Sequence, residues 1–450
     1  MESDKYLSAK DVKTLFHIQC QTGKSLRSHA CSKSVNEILL LPTTQFEVIN
    51  HETSNNSLLI IHLKEISPQN TLLESPVDAD YSVASLDNEQ LQNFLEEHKK
   101  DSSICFSEHI HTADDMQLIT NALYSNRSWT QVSIRGIHLT EKSVKDLIHA
   151  LQSNSKIVFL ELRTCQLNDH TSILIASALK TNGSLQKVDL TDNQITHIGA
   201  QSFAEMLKVN GTLRSLHLSS NAIGDRGVIA LFAALRQNQK LRSLHLDQTT
   251  CTHQAIDPTL KTNLTILHLS DNHLGDEGII ALARFLEKNK DLGSLHLATN
   301  KITSVGAKEI ARVLQQTKSS LVVLNISNNP LEDAGVASIA QALTKNTTLS
   351  QLYLESVAMA TDGLHEIIKM IRLNKTLKFL SLKKNAIDDD GMILFLDGLK
   401  FNDVPIQIHL QDNQLTDEYV AHITTMMNNK QISQRLYLRD HPVMKTKTDT

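Results

Sequence analysis

Aromatic residues are scarce in this 450-residue chain, and so are proline, glycine and cysteine. Aromatics make up 4% of the residues whereas 40% are broadly hydrophobic, so any core must be aliphatic. The same scarcity leaves few rings for stacking on nucleic-acid bases. Seven prolines and fifteen glycines are too few for a collagen-like or long low-complexity chain. The composition therefore predicts a folded protein with an aliphatic core.

The chain also lacks an excess of positive charge and a long apolar run. It has 44 Lys and Arg against 49 Asp and Glu, a net charge of −5 that disfavours nucleic-acid binding. Its apolar runs, such as 38–41 and 58–61, are far shorter than the roughly 18 residues that span a bilayer. Residues 1–13 contain no apolar leader, and the five scattered cysteines form no CxxC pair. We predict a cytoplasmic protein with reduced thiols that binds neither nucleic acid nor membrane.

What the sequence does contain is a repeated apolar pattern of the form LxL. Its first residues recur at intervals of 28 or 29 residues, with one interval of 23 between Leu244 and Leu267. Thirteen such positions are Ile104, Val132, Leu160, Val188, Leu216, Leu244, Leu267, Leu295, Leu324, Leu352, Leu380, Ile408 and Leu436. A constant period of this length indicates a repeat array, because each unit must stack on its neighbours to bury its apolar face.

The unit around Leu216 shows what each repeat builds. Leu216 and Leu218 alternate with polar residues, which predicts a strand, and apolar residues four apart in 227–235 predict a helix. The pattern resembles the leucine-rich repeat of the ribonuclease-inhibitor-like subclass over about residues 102–440. That resemblance implies an α/β horseshoe with parallel strands on the concave side, helices on the convex side, and a protein partner on the concave face.

Three further columns of residues follow the period. An Asn five residues after the strand start is expected to satisfy backbone groups at the bend, with Cys165 taking its place in one unit. The Gly at the helix entry is expected to allow close packing. A second Asn, six residues before the next strand, is expected to end the helix in the left-handed conformation. The second Asn column is Asn126, Asn154, Asn182, Asn210, Asn238, Asn289, Asn346, Asn374 and Asn402.

The short unit and the two ends of the array depart from the pattern. Pro258 disfavours a long helix between Leu244 and Leu267, so we predict an irregular convex segment there. Residues 87–101 predict a capping helix before the first strand, and residues 441–450 predict a disordered tail.

In each LxL the middle residue is expected to point away from the core onto the concave face. The column is Ser133, Glu161, Asp189, His217, His245, His268, His296, Asn325, Tyr353, Ser381, His409 and Tyr437. Its four consecutive histidines form a ladder with steps of roughly 4.8 Å. The ladder is open to three interpretations: a neutral polar surface, pH-dependent partner binding, or a metal site. We predict a partner-binding surface at His217, His245, His268, His296, Asn325 and Tyr353, and no metal, since parallel side chains diverge.

Residues 1–66 do not follow the period. Alternating apolar residues predict strands at Leu15–Cys20, Glu37–Leu41, Phe46–Asn50 and Leu58–Ile66, and two Ser-Pro pairs in 67–86 indicate a linker. The stretches 22–26, 36–42, 46–48 and 58–66 resemble the C-terminal end of an NAD-dependent protein-arginine mono-ADP-ribosyltransferase domain. The resemblance implies that Glu37 is the catalytic residue, which stabilises the oxocarbenium-like centre as nicotinamide leaves NAD. The family's preceding Glu falls at Val35, which cannot polarise a guanidinium.

This resemblance covers only part of a transferase domain. About 35 residues precede Glu37, so the family's NAD-holding strands would lie upstream of Met1. An isolated carboxylate without that pocket loses the positioning that supplies much of the rate. We therefore expect the chain as given to be inactive and to need no cofactor. The alternative is an ADP-ribosyltransferase that uses NAD and whose repeats select the target protein.

Overall fold

A computed structural model gives the structure of the protein. It describes residues 14–19, 24–25, 38–39, 45–53, 59–66, 88–107, 113–316, 319–402, 404, 406–420, 423 and 436–437. The chain divides into two compact units, Met1–Asp80 and Tyr81–Thr450. The predicted linker 67–86, the predicted tail 441–450 and the predicted catalytic Glu37 lie outside the described residues.

The first unit contains five described strands. They are β1 (Thr14–Gln19), β2 (Lys24–Ser25), β3 (Ile38–Leu39), β4 (Gln45–Thr53) and β5 (Leu59–Ile66). Strands β1, β5 and β4 form one sheet in that order, with β1 parallel and β4 antiparallel to β5, and β2 pairs antiparallel with β3. Each of the four strands predicted in this region overlaps an observed one, whereas β2 was not predicted.

The second unit is the predicted repeat array, and its strands form one parallel sheet. In chain order they are β6 (Ser103–Phe106), β7 (Gln131–Arg135), β8 (Phe159–Arg163), β9 (Lys187–Asp189), β10 (Ser215–His217), β11 (Ser243–His245), β12 (Ile266–His268), β13 (Ser294–His296), β14 (Val323–Asn325), β15 (Gln351–Tyr353), β16 (Phe379–Ser381), β17 (Gln407–His409) and β18 (Leu436–Tyr437). All thirteen follow one another in sequence order. Equivalent residues pair in register, as Leu216 does with Leu244.

Helices lie together on one side of this sheet, as the period predicted. The first precedes β6, and each of the others connects two successive strands. They are α1 (Asn88–Glu97), α2 (Ala113–Ser125), α3 (Glu141–Ser153), α4 (Asp169–Leu179), α5 (His197–Leu207), α6 (Gly224–Leu235), α7 (Gly275–Lys288), α8 (Ser304–Leu314), α9 (Glu332–Leu343), α10 (Thr361–Leu373) and α11 (Asp389–Leu399). The leucines of the strands and the apolar faces of the helices form one continuous core from Leu91 to Leu436. Among the described residues, none of the helices combines the length and apolarity needed to cross a membrane.

The short unit lacks an α-helix, as its proline predicted. Between β11 and β12 the chain makes only a 3₁₀ turn at His253–Ala255, and the strands on either side still pair in register. Thr252 begins this turn by accepting a hydrogen bond from the Gln254 N–H at 3.2 Å. The convex side is therefore thinnest at this unit, while the sheet runs through it without interruption.

The first Asn column satisfies the backbone at each bend, as predicted. Asn300 has no exposed surface, and its Nδ2 donates to the carbonyls of Leu269 at 2.8 Å and Leu297 at 3.2 Å. Its Oδ1 accepts from the Leu274 N–H at 3.3 Å. One amide therefore links the bends of neighbouring repeats, so each bend depends on the repeat beside it.

The second Asn column ends the helices differently from the prediction. Asn154 and Asn289 have φ angles of −109° and −108°, so the expected left-handed conformation is wrong at these positions. The Asn154 Nδ2 instead donates to the Leu123 and Asn126 carbonyls of the preceding repeat, both at 2.7 Å, and its Oδ1 accepts from the Lys156 N–H at 2.9 Å. The side chain thus satisfies exposed helix-end carbonyls of the neighbour.

The left-handed conformation occurs at another column, the residue just before the first Asn. Its members are Thr164, Asp192, Ser220, Gln248, Asp271, Thr299, Asn328, Ser356, Lys384 and Asp412, with φ between 52° and 59°. At this residue the chain turns sharply out of the strand. The side chains in the column are polar, which is consistent with a position at the surface.

The glycine column lies where neighbouring helices approach most closely, as predicted. A Cβ on Gly227 would lie 2.3 Å from Ile223 Cγ2 and 2.9 Å from the Cβ of Ala200 on α5. There is no room for a side chain at this contact. Glycine therefore sets the spacing between α5 and α6.

Alternate repeats differ in how the next helix is capped. Asp225 accepts hydrogen bonds from the Thr252 N–H and hydroxyl, the latter at 2.8 Å, and Asp276 accepts from the Thr303 hydroxyl at 2.6 Å. The same Asp–Thr pair recurs at 169 and 196, and at 389 and 416. The structural period is therefore two repeats: one unit supplies the carboxylate and the next supplies its partner, which is threonine in these four pairs and Ala360 beside Asp333.

Candidate functional site

The face of the sheet opposite the helices carries three columns of side chains. Because side chains alternate along a strand, the residues before, between and after the two core leucines all point to this face. In β10 and the residues after it these positions are Ser215, His217 and Ser219. We call this surface the open sheet face.

All six residues predicted to bind a partner lie in one row of this face. They pair strand by strand in the order His217, His245, His268, His296, Asn325 and Tyr353. The predicted exposure is wrong for the first two, because His217 is 3% exposed and His245 is 4% exposed. The other four are partly buried.

The four histidine rings stack on one another. Neighbouring ring centroids are 3.9 Å apart between His217 and His245, 3.9 Å between His245 and His268, and 4.0 Å between His268 and His296. These separations are shorter than the strand spacing of about 4.8 Å, so the rings close the gap between the strands. Contact with a ring on each side helps to explain why His245 is only 4% exposed.

A serine two residues earlier holds three of the rings. The Nε2 atoms of His217, His245 and His296 lie 2.8, 2.7 and 3.1 Å from the hydroxyls of Ser215, Ser243 and Ser294. His268 has Ile266 at the corresponding position, so its ring has no serine of this kind.

Carboxylates of the preceding strands contact the other side of two rings. Asp189 Oδ2 lies 3.3 Å from His217 Nδ1, and Asp247 Oδ2 lies 3.4 Å from His268 Nδ1. Asp247 also accepts from the Ser270 N–H at 2.7 Å. His217 is therefore held by both a hydroxyl and a carboxylate, whereas His268 is held by a carboxylate.

The surroundings of these groups change their pKa values. Burial and then the charges of His217 and His268 lower the pKa of His245 well below its usual 6.5, and burial followed by the charge of His268 lowers the pKa of His296 to about 4. Both rings are therefore neutral at pH 7. Burial raises the pKa of Asp189, but its hydrogen bond and ion pair with His217 outweigh that effect and lower it to about 2. Because the pKa values of His245 and His296 are both lowered, neither ring changes its charge near neutral pH.

Three of these side chains come together as metal ligands would. One ligand atom from each of His245, Asp247 and His268 lies within 4.8 Å of the other two. The sequence argument that parallel side chains diverge is wrong for this trio. Asp247, two residues beyond His245, follows the strand and reaches across to His268 on the next strand.

A cluster of rings occupies the C-terminal part of the open sheet face. Phe379 lies between Tyr353, at 4.8 Å between centroids, and His409, at 4.9 Å. All three residues are partly exposed. Sequence reasoning missed Phe379 because it considered only the residues between and after the leucines. The two-residue alternation of Phe379-Leu380-Ser381 was the signal that places Phe379 on the same face.

Charged groups lie on the same face near the first repeats. Arg135 donates to both carboxylate oxygens of Glu161, from Nε at 2.9 Å and from Nη2 at 3.1 Å, and the Ser133 hydroxyl donates to Glu161 at 2.7 Å. Glu161 is 2% exposed, whereas Arg163 beside it is exposed. The open sheet face thus changes from charged, to histidine-rich, to aromatic along the array.

Two cysteines of the array are buried free thiols. Cys165 fills an Asn position, where its Sγ lies 3.3 Å from the Ile134 carbonyl and 3.2 Å from that of Arg163. Burial raises the pKa of Cys165 and of Cys251 to about 12. Both are therefore protonated, unreactive core residues near neutral pH.

Comparison with known proteins identifies the repeats. A family profile described as Leucine Rich repeat matches residues 181–204, 209–232, 261–283, 288–311, 317–340 and 373–396. No curated protein matches the sequence.

Solved structures share the fold at low sequence identity. A chain of the yeast Rad7–Elc1 complex is similar with a TM-score of 0.51 and 17% identity, over 74% of this chain and 81% of that one. An internalin, InlF from Listeria monocytogenes, is similar with a TM-score of 0.39 and 17% identity, over 73% of this chain and 86% of that one. The chain therefore carries leucine-rich repeats, and its second unit has the α/β leucine-rich-repeat fold that the 28-residue period predicted.

Proposed function

We propose that this protein is a non-catalytic scaffold that binds another protein through its open sheet face. The observation that carries the proposal is the ring cluster of Tyr353, Phe379 and His409, which remains partly exposed in a chain with few aromatics. Tyrosine and phenylalanine are enriched in the buried cores of protein interfaces. A large, rigid surface with partly exposed rings is suited to receive a protein rather than a small molecule.

Polar groups surround this cluster as they do in the rim of an interface. Glu355 accepts a hydrogen bond from the Ser381 hydroxyl at 2.6 Å, and Lys383 lies one strand away in the same column. Both signs of charge are thus available beside the rings, and both residues are partly exposed. Such a rim gives specificity and orientation to a partner held by the apolar centre. The yeast Rad7–Elc1 structure, which this fold resembles, is itself a complex of two proteins.

Site-specific photocrosslinking tests which face receives the partner. A photoreactive residue would be placed at Gln351 or Gln407 on the open sheet face, and at Ile198 or Ile229 on the helical face as matched controls. We expect crosslinks to the same protein from the first pair and none from the second. Crosslinks from the helical positions alone would contradict the proposal.

Once a partner is captured, substitution of the ring cluster tests the contact. We expect Phe379→Ala to weaken binding by about 2 kcal/mol, or roughly thirtyfold in Kd, because a central ring would lose its buried contact. Ile229→Ala, which truncates a side chain that is 48% exposed on α6, should leave Kd unchanged. Equal affinities of the two variants would place the interface elsewhere.

A second proposal is that the chain belongs to an NAD-dependent arginine ADP-ribosyltransferase whose repeats select the target. It rests on the residue pattern of the first unit, and strand β3 at Ile38–Leu39 begins directly after Glu37. Release of nicotinamide from NAD by the full chain, with an arginine-containing acceptor, tests it. Release that Glu37→Gln abolishes would support the transferase, whereas no release from the unaltered chain would refute activity of this chain.

A further inference from the structure

Within the described residues, the strands that carry the metal-ligand trio border a repeat that has a 3₁₀ turn in place of an α-helix. His245 ends β11, Asp247 follows two residues later, and His268 ends β12. The chain between them makes only the 3₁₀ turn at His253–Ala255. The repeats on either side have the helices α6 and α7 behind the sheet. A metal ion that bridges β11 and β12 on the open sheet face would therefore stabilise the repeat in which no α-helix packs behind the strands.

The separations in the trio fit a shared metal ion. With metal–nitrogen and metal–oxygen bonds of about 2.0–2.2 Å, two ligands of a tetrahedral zinc ion lie roughly 3.4 Å apart. His268 Nδ1 and Asp247 Oδ2 are already 3.4 Å apart. The third ligand atom lies within 4.8 Å of both, so a side-chain movement of at most about 1.4 Å would bring it to the tetrahedral separation.

Neighbouring groups orient the ligands as a second layer around a metal would. The Ser243 hydroxyl lies 2.7 Å from His245 Nε2 and so helps to fix the orientation of that ring. Asp247 is fixed by the Ser270 N–H at 2.7 Å and by the Ser219 hydroxyl at 3.2 Å. His268 has no serine two residues earlier, so its ring is less constrained than its neighbours.

We propose that His245, Asp247 and His268 bind a divalent transition-metal ion, with zinc as the best match to two imidazoles and one carboxylate. Imidazole nitrogen with carboxylate oxygen suits zinc and disfavours Mg²⁺ and Ca²⁺, which prefer oxygen ligands. The side chains of His268 and Asp247 are 21% and 25% exposed, so the ion can enter from solvent and keep one open position. The bound ion connects β11 to β12 and supports the repeat that lacks a helix.

Calorimetric titration of the full chain with Zn²⁺ alone tests the site. We expect one saturable site whose affinity falls by at least about tenfold in Asp247→Asn and in His268→Gln, because each removes a ligand. Asp189→Asn is the matched control, since it removes the same kind of carboxylate–histidine contact from the same face while the trio stays intact. His296→Gln controls for loss of a stacked ring. No saturable site, or equal affinity in all variants, would overturn the proposal.

Two further experiments test the site, one through the residue that orients His245 and one through hydrogen exchange. Ser243→Ala, which removes the group that orients His245, should weaken Zn²⁺ binding by about 10–100-fold without removing a ligand. Hydrogen exchange of residues 246–267 should slow when Zn²⁺ is added to the unaltered chain and stay unchanged in Asp247→Asn. Slowing of the same amides in Asp247→Asn, or slowing by Mg²⁺ at equal concentration, would also overturn the site.

Discussion

At the scale of single residues, the bends of the array depend on buried asparagine amides. Asn300 connects the bend of its own repeat to that of the preceding repeat through its Nδ2 bonds to Leu269 and Leu297. A buried carbonyl left without a donor costs free energy that a well-packed apolar side chain cannot recover. The Asn column therefore stabilises the stacking of repeats as well as the turn in which it lies.

Asn300→Ala should lower the free energy of unfolding by about 3 kcal/mol, because it leaves several buried backbone groups unpaired. Asn263→Ala, at a partly exposed site where Nδ2 makes one 3.4 Å bond to the Gln239 carbonyl, should cost less than about 1 kcal/mol. Urea unfolding followed by circular dichroism measures both. Similar midpoints for the two variants would mean that the buried amide contributes no more than an ordinary surface bond.

Asp189 predicts an acid-dependent part of the stability. Its folded-state pKa is about 2, below the usual 3.8, so the folded chain binds fewer protons than the unfolded chain between these values. The stabilisation is therefore complete above pH 4 and is lost as the pH falls towards 2. We expect the free energy of unfolding of the unaltered chain to be about 2 kcal/mol higher than that of Asp189→Asn at pH 5. This difference should disappear near pH 2. Thermal unfolding from pH 5 to 2 measures the gap, and a constant gap would contradict the pKa argument.

At the scale of the repeat, close helix contacts fix the spacing of the array. Gly227→Ala adds a Cβ that would lie 2.3 Å from Ile223 Cγ2 and 2.9 Å from the Ala200 Cβ. We expect this overpacking to cost about 1–3 kcal/mol, although alanine is the better helix former by about 1 kcal/mol.

The matched control for Gly227 is Gly211→Ala, where an added Cβ meets nothing within 4 Å. We expect this change to be neutral or to stabilise by about 0.5 kcal/mol, because it restricts the unfolded chain without a clash. Thermal shift measurements compare the two. A stabilising effect at Gly227 would show that the helices can move apart at no cost.

The sequence predicted the secondary structure of the repeats better than it predicted other features of the protein. The LxL period predicted the strands, the helices and the irregular unit at Pro258, because apolar periodicity reports directly on which face of an element is buried. The alternation of Asp and Thr caps, as at Asp276 and Thr303, was missed because it appears only when every second repeat is compared. The conformation of Asn154 was also missed, since residue type alone does not distinguish a left-handed helix end from an amide that reaches into the next repeat.

The candidate site was less predictable than the fold. Alternation along a strand placed the six-residue row correctly, because the side chains of LxL must face opposite sides. The burial of His217 and His245 was not expected, since it arises from ring stacking between strands, which a column of letters does not show. Contacts between columns, such as Asp247 with His268, likewise require the lateral geometry of the sheet.

At the scale of the whole second unit, each repeat contacts chiefly its neighbours. Leu295 is fully buried in β13, in the interior of the sheet, and Leu295→Ala should cost about 3–4 kcal/mol through lost burial and a cavity. In a stacked array that loss should reach adjacent repeats first and fade with distance.

Hydrogen exchange resolved along the chain measures how far the effect of Leu295→Ala extends. We expect faster exchange in β12 and β14, with little change in β7 or β8. Val305→Ala, which truncates a side chain that is 54% exposed on α8, serves as the control and should change neither region. Uniform acceleration from β7 to β17 would show that the unit opens as one cooperative body.

The left-handed column gives protein engineers a repeated target. Thr299 and Thr164 hold φ angles of 55°, a conformation that costs a β-branched residue more than it costs glycine. Exchanging such residues for glycine relieves backbone strain at an equivalent point of each repeat without altering the core or the open sheet face. Because the effects of distant, independent substitutions add, small gains at several turns would combine into a more stable array with the same open sheet face.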